Sequence, residues 1–319
     1  MNILLILGGW SSERDVSLNG GAVIEKALVS LGHCVTRFDP RASLDGLVQA
    51  AKKADFAFIA LHGSPGEDGL IQAMLETAGC PYQGAGPSGS FLALNKAAAK
   101  EIFRERGLPV PDGVLLAQKP GPDWKPPFPF PVFVKGNTGG SSLGMERVAS
   151  QADLPAALDR LFALGGEFIM EPEIKGVEVT CGVLGYLENG VQVPRALPPI
   201  LIRPKAAEIF DYASKYTPGG AEEICPAPIS EEATRAVQKL ALEAHIALGL
   251  ADYSRSDFIM RDDGSLMLLE VNTLPGMTAT SLIPQEAAVV GLPFEDLIAH
   301  LIELGLADPK KNPANRHAG

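Results

Sequence analysis

Two apolar segments constrain this chain more than anything else in it. They are Ser254-Arg255-Ser256-Asp257-Phe258-Ile259-Met260 and Leu266-Met267-Leu268-Leu269-Glu270-Val271-Asn272, separated only by Arg261-Asp262-Asp263-Gly264-Ser265. Asp-Gly between two such runs is a strong hairpin signal, because glycine supplies the left-handed backbone that a tight turn needs. With the turn centred between Asp263 and Gly264, Asp257 faces Glu270 and Arg255 faces Asn272. Side chains alternate along a strand, so these four polar residues share one face, and Phe258, Met260, Leu269 and Val271 are expected to point into the core. Two opposed carboxylates repel. Either Arg255 neutralises both acids on a solvated face, or the oxygen-rich set of Asp257, Glu270 and Asn272 holds a hard cation such as Mg²⁺. The hairpin alone leaves both readings open. The following Thr273-Leu274-Pro275-Gly276-Met277-Thr278 favours the second, since a glycine loop leaving a carboxylate strand can bring backbone amides up to a reacting group.

The rest of the chain supports a site of this kind. Its 319 residues suffice for two domains or one large one. Hydrophobic residues at 46% and charged residues at 20% are those of a folded chain rather than a disordered one. A formal net charge of −11 argues against nucleic acid or an anionic membrane as partner. The four cysteines are far apart with no C-x-x-C, which fits a reducing cytoplasm and signals neither a disulfide scaffold nor a zinc site. The apolar start, Met1 to Leu7, is too short and lacks the basic flank of a signal peptide, and no run approaches a membrane span.

The N-terminal rhythm is βαβ: a buried strand over 3–7, a helix over 16–31 and a strand over 34–38, with a further apolar run, 56–61, ending at His62-Gly63-Ser64. Three units are expected: a parallel α/β unit over 1–94, a small α+β unit over 95–182 and a C-terminal α+β unit over 183–319. In the second, Asn95 caps a helix over 96–106, and six prolines between Lys119 and Pro131 mark a loop or sheet edge. In the third, Ser230 with Glu231 and Glu232 starts a long helix running to Leu248.

No Walker motif is present, because Met145 and Glu146 follow the glycines at Gly139 and Gly144. The loop Gly136-Asn137-Thr138-Gly139-Gly140-Ser141-Ser142-Leu143-Gly144 can still fold over a polyphosphate, with Lys135 before it and Lys96 on an earlier helix. Taken singly, each lysine reads more readily as a solvated surface charge.

Together these residues resemble the ATP-grasp fold, and more narrowly the D-alanine:D-alanine ligase family. The resemblance runs nearly end to end. It rests on the 8–17 segment Gly-Gly-Trp-Ser-Ser-Glu-Arg-Asp-Val-Ser, on His62-Gly63, on Lys135 with Gly140-Ser141-Ser142-Leu143-Gly144, on Asp211-Tyr212-Ala213-Ser214-Lys215-Tyr216, and on Arg255 to Ser281. It implies an ATP-grasp fold behind an N-terminal parallel α/β (pre-ATP-grasp) subdomain. The implied reaction ligates two D-alanines through an acyl phosphate in the cytoplasm, for peptidoglycan precursor synthesis. The alternatives are a related ligase with another acceptor, such as D-lactate, and a nucleotide-binding module without turnover.

The roles that follow come from the resemblance. Asp257, Glu270 and Asn272 would hold two Mg²⁺ ions, with Mn²⁺ as a substitute and K⁺ as an activator. Lys96, Lys135, Ser142 and Lys215 would grip the ATP phosphates. Adenine would lie beside Glu171 and Ile174, with Glu178 on the ribose. Glu13 would pair with the ammonium of the first D-alanine, helped by Ser141 and Tyr216, with His62 in the same subsite. Arg255 and the Gly276 amide would stabilise the oxyanion, and Ser281 with Lys215 would hold the second carboxylate. The Lys215-Tyr216 pair favours the dipeptide product. A mobile loop over 209–224 would close on the acyl phosphate, and the expected assembly is a homodimer. Pro172 and Gly136 depart from the family pattern beside the adenine and in the phosphate loop.

Overall fold

The computed structural model of the chain describes residues 1–121, 123–139, 144–204 and 221–312. Its first sheet is parallel in the order β2-β1-β3, built from β1 (Asn2–Ile6), β2 (Cys34–Phe38) and β3 (Phe56–Ile59). Parallel neighbours need crossovers, which α1 (Arg14–Ser30) and α2 (Leu47–Ala51) provide. Residues Ile3 to Leu7 and Phe56 to Leu61 are buried, as continuous apolar runs in a parallel sheet should be. Two helices follow, α3 (Leu70–Ala78) and α4 (Pro87–Leu94). The glycines and serines of α4 hide it from a periodicity reading. It starts where Pro87 takes the first turn, a position whose missing amide costs nothing.

The second sheet is antiparallel, order β4-β7-β5-β6, from β4 (Val114–Leu116), β5 (Val132–Gly136), β6 (Met145–Val148) and β7 (Phe168–Pro172). Helix α6 (Leu154–Phe162) closes its own small core of Val132, Val134, Val148, Leu158 and Met170. Ahead of it lies α5 (Lys96–Glu105), whose Asn95 cap accepts from the Ala98 amide at 3.0 Å.

The third sheet has six strands: β8 (Val177–Glu188), β9 (Val191–Ala196), β10 (Ile200–Pro204), β11 (Ala221–Ile224), β12 (Tyr253–Met260) and β13 (Leu266–Asn272). Their order is β11-β10-β8-β12-β13, with β9 also paired to β8. Helix α7 (Glu231–Ala247) packs on this sheet, capped by Ser230, which accepts from Ala233 at 3.1 Å. Strand β8 crosses residue 182 unbroken, so the second and third sheets divide in the turn over 173–176 rather than at 182.

After α8 (Leu282–Val289), the last helix, α9 (Phe294–Ala307), returns to the first sheet, where Leu297, Ile298, Leu301 and Leu304 join the core of β1 and β3. The approach is so close that a Cβ at Gly305 would lie 2.4 Å from the Tyr82 carbonyl oxygen. The C-terminal segment therefore completes the N-terminal unit. Among the described residues no helix is long and apolar enough to cross a membrane.

The β12–β13 hairpin pairs Arg255 with Asn272 and Asp257 with Glu270, as expected, but by another route. Gly264 donates to the Arg261 carbonyl at 2.9 Å, Arg261 and Ser265 close the loop, and Gly264 takes φ +79°. The turn is therefore centred on Asp263, a three-residue loop with glycine in the left-handed position. Near it, Phe258 pairs with Leu268 and Met260 with Leu266. A bulge between Asp257 and Phe258 then shifts the register by one residue and restores the Asp257–Glu270 pair. The same shift corrects the core assignment: Leu268 is fully buried, whereas Leu269 stands outside the core.

Candidate active site

Strand β12 is central, flanked by β8 and β13, and this placement buries Asp257 to 4% exposure. Arg255, Glu270 and Asn272 around it are only partly buried. Asp257 Oδ1 accepts from Arg255 Nε at 2.8 Å and Thr180 Oγ1 at 2.6 Å, and Oδ2 accepts from Arg255 Nη2 at 2.8 Å and Asn272 Nδ2 at 3.0 Å. Burial opposes the charge on Arg255, but the carboxylate of Asp257, with Glu270 and Glu286 behind it, holds the guanidinium firmly protonated. Asn272 turns its amide nitrogen to Asp257, which presents its oxygen away from that carboxylate. Among the described residues no group of three or more His, Cys, Asp or Glu makes a metal cage. Two carboxylates and one carboxamide are all oxygen donors, and with one oxygen each they leave half of an octahedron to water and substrate phosphate, which fits Mg²⁺.

Lys96 joins this face to the glycine loop. Its Nζ, buried at the start of α5, donates to the Gly139 carbonyl at 2.5 Å and sits 3.1 Å from Glu270 Oε2. Its backbone amide bonds the Asn137 carbonyl at 2.9 Å. Lys135 lies at the end of β5, 3.0 Å from Glu171 Oε2. Burial works against its charge, yet Glu171, Glu270 and Glu178 together raise its pKa. Glu171 is buried between Lys135 and Lys100 in ion pairs with both. Burial pushes the Lys100 ammonium down to about 8 despite that partner. The Glu171 side chain is thus committed to two lysines. Ile174 and Glu178, both half-buried, flank the turn into β8.

Across the cleft, Glu13 precedes α1 but makes no capping bond with its side chain. Its carboxylate turns instead toward Gly63, where a Cβ would meet Glu13 Oε2 at 3.4 Å. Burial depresses the His62 pKa, the charge of Glu13 opposes this, and Arg255 adds to it. A residue absent from the sequence reading completes the group: Glu67 Oε2 accepts from the Gly63 amide at 2.7 Å and Oε1 from the Leu274 amide at 3.3 Å. It ties the His62 loop to the loop leaving β13. The acidic Gly66-Glu67-Asp68-Gly69 stretch was the available signal.

Burial, with the charge of Glu13 beside it, pushes the Glu67 carboxyl up to about 7, from an ordinary 4.5. A carboxyl raised in the folded state binds more protons there than when unfolded, so its contribution to stability falls as pH rises from about 4.5 to about 7. Glu67→Gln is therefore expected to gain stability over the parent across that window, by at most about 3 kcal/mol and less where solvent screens the group. Denaturant midpoints at pH 5 and pH 8 check this; a difference that does not change with pH refutes it.

Gly276 and Ser281 form one turn. A Cβ at Gly276 would meet Ser281 Oγ at 3.2 Å, and Ser281 Oγ accepts from the Thr278 amide at 3.0 Å just before α8 begins. The structure thus brings Lys96 and Lys135 toward Glu270, joins Arg255 and Asn272 to Asp257, and sets His62 within the field of both Glu13 and Arg255, with Gly276 and Ser281 together on the segment between β13 and α8. Ser141, Ser142, Lys215 and Tyr216 lie outside the described residues, as does most of the 209–224 loop.

This arrangement has close parallels. The family descriptions "D-ala D-ala ligase C-terminus" and "D-ala D-ala ligase N-terminus" match residues 103–303 and 35–85. The D-alanine--D-alanine ligase of Oleidesulfovibrio alaskensis is 64% identical over 307 residues, covering 96% of this chain and 97% of its own. That of Nitratidesulfovibrio vulgaris is 63% identical over 306 residues, with 96% and 98% covered. The crystal structure of the Bacillus anthracis ligase complexed with ATP superposes with a TM-score of 0.82 at 32% identity, covering all of both chains. On sequence, fold and site together, this chain belongs to the D-alanine:D-alanine ligase family.

Proposed function

We propose that the chain joins two D-alanines in an ATP-dependent reaction, releasing ADP and phosphate. The observation that carries this reading is the Arg255–Asp257–Asn272 cluster around the buried Asp257, facing Glu270 and Lys96 on one side and linked on the other through the Leu274 loop and Glu67 to the His62-Gly63 loop beside Glu13. Such a site brings a nucleotide's phosphates and an amino acid's two ends together.

The first D-alanine carboxylate attacks the γ-phosphorus, forming an acyl phosphate and releasing ADP. Lys96 and Lys135 offset phosphate charge during this transfer. Glu13 is placed to take the substrate ammonium, which selects an amino acid over a simple acid. The amine of the second D-alanine then adds to the acyl carbon and loses a proton. The tetrahedral oxyanion meets Arg255 and the Gly276 amide, and its collapse expels phosphate. Asp257, Glu270 and Asn272 would hold Mg²⁺, which shields the phosphate oxygens from the attacking carboxylate. With the Glu171 side chain engaged by Lys100 and Lys135, base recognition beside it falls to the backbone at the end of β7.

Use of ATP fits a cytoplasmic reaction that feeds cell-wall precursor synthesis. Mn²⁺ as a substitute, K⁺ as an activator and a homodimeric assembly belong to the same proposal. The test is direct: protein, ATP, Mg²⁺ and D-alanine should release phosphate and D-alanyl-D-alanine in equal amounts, with L-alanine inert. Phosphate release without dipeptide, or no D-alanine-stimulated release, would refute it. Product mass spectrometry with D-lactate as acceptor separates the depsipeptide alternative.

A further inference from the structure

Helix α8 carries a fully buried acid that the reaction scheme does not use. Glu286 is 0% exposed in the second turn of the helix. One of its oxygens, Oε1, accepts from the Gly182 amide at 3.0 Å. Gly182 is the residue of β8 that pairs with Arg255 across the β8–β12 ladder. The second oxygen occupies the place of the missing side chain there: a Cβ at Gly182 would lie 2.3 Å from Glu286 Oε2 and 2.5 Å from Ile283 Cδ1. Glycine at 182 is thus what lets α8 seat on the strand. Among the described residues Glu286 Oε2 has no hydrogen-bond partner.

The groups facing this carboxyl define its character. Burial raises its pKa well above the usual carboxylate range and the charge of Asp257 adds to this, while the Gly182 bond and Arg255 work the other way. Cys181 and Cys225 also lie within its field. The side chain bridges to the Gly182 amide and leaves the Arg255 fork to Asp257. The N-terminus of the same helix is fixed at Ser281 through Thr278, and Gln285 Nε2 adds bonds to the Thr280 carbonyl at 2.8 Å and Glu223 Oε2 at 2.6 Å.

We propose that Glu286 is a positioning residue for the second substrate: it rivets α8, with Ser281 at its N-terminus, to the strand beside Arg255. The distance between the acceptor's carboxylate site and the oxyanion group is then set by one side-chain bridge. The proposal rests on the roles given above to Ser281 and Arg255. A gap of about 1 Å between an acceptor and its reacting carbon is enough to cost turnover.

The experiment compares Glu286→Gln and Glu286→Leu with the parent enzyme, reading kcat, KM for ATP, KM for D-alanine at the acceptor step, and thermal unfolding. Glutamine keeps the shape of the side chain and an oxygen for the Gly182 amide, so its constants should lie within about twofold of the parent. Leucine keeps the volume but loses the bridge, so acceptor KM should rise about tenfold, the weight of one lost buried hydrogen bond, with KM for ATP unchanged. The proposal is overturned if the leucine variant matches the parent, if glutamine fails as badly as leucine, or if KM for ATP shifts alongside acceptor KM. Should the parent make no dipeptide, the functional reading fails and the rivet stays testable by hydrogen exchange. Leucine, and not glutamine, should then raise amide exchange over 276–290, and equal exchange in both refutes it.

Discussion

Replacing Arg255 with alanine is expected to lower kcat for dipeptide formation by about 10²- to 10³-fold, the range for removing a preorganised oxyanion donor. KM for ATP should stay within roughly threefold, because the group is needed in the transition state rather than for nucleotide binding. The geometry separates the two effects. Asp257 engages the Nε and Nη2 edge of the guanidinium, which leaves Nη1 to meet the developing oxyanion. Without Arg255, Asp257 loses its charge partner and two hydrogen bonds but keeps Thr180 and Asn272 as donors. Arg255→Lys should not rescue turnover, since a single ammonium lacks the rigid planar fork that holds both Asp257 oxygens and directs a separate nitrogen outward. Steady-state kinetics with ATP and D-alanine varied separately decides the matter. Collapse of ATP affinity with kcat near that of the parent would remove Arg255 from the oxyanion role.

The largest stability effect is expected far from the chemistry, at Lys311. Its ammonium is buried, 2.7 Å from Asp252 Oδ2 and 2.6 Å from the Gly84 carbonyl, and it lies over the Tyr82 ring. Asp252 itself is 1% exposed and holds φ +61°, fixed by the Gly84 amide at 2.7 Å and Gln192 Nε2 at 2.6 Å. Lys311→Met leaves that carboxylate buried without its counter-charge, which costs about 3–5 kcal/mol. Adding Asp252→Gly should return most of the loss, because it deletes the orphaned charge and places glycine where the backbone is left-handed. Denaturant unfolding of the parent, the single and the double variant tests both halves. A single variant within about 1 kcal/mol of the parent would mean that the pair contributes no more than a surface ion pair.

Much of the site was legible along the chain. The hairpin bearing Arg255, Asp257, Glu270 and Asn272 follows from alternation and an Asp-Gly turn, and both predicted caps, Asn95 and Ser230, make their bonds. The Asp257–Glu270 pairing came out right through two compensating offsets, a turn centred on Asp263 and a bulge beside Asp257; no local pattern announces the bulge. The reading of Arg255 as a neutralising neighbour describes the structure, since Arg255 grips an Asp257 that is buried rather than solvated, while the reading of the acids as a ligand set belongs to the proposed function. Glu67 escaped notice because its bond to Leu274 spans 207 positions. Glu286 is hidden for the same reason, since its bond to the Gly182 amide spans 104 positions.

Residue order alone determines where this backbone extends, coils and reverses, because alternation, capping and glycine turns are decided by neighbours a few positions apart. It also determines the family, since the motifs keep their order. Which acids keep their charge, which lysine answers which carboxylate and how α8 meets Arg255 were decided only in three dimensions. The cost of burying a charge depends on the groups that folding brings around it, and those come from segments hundreds of residues apart.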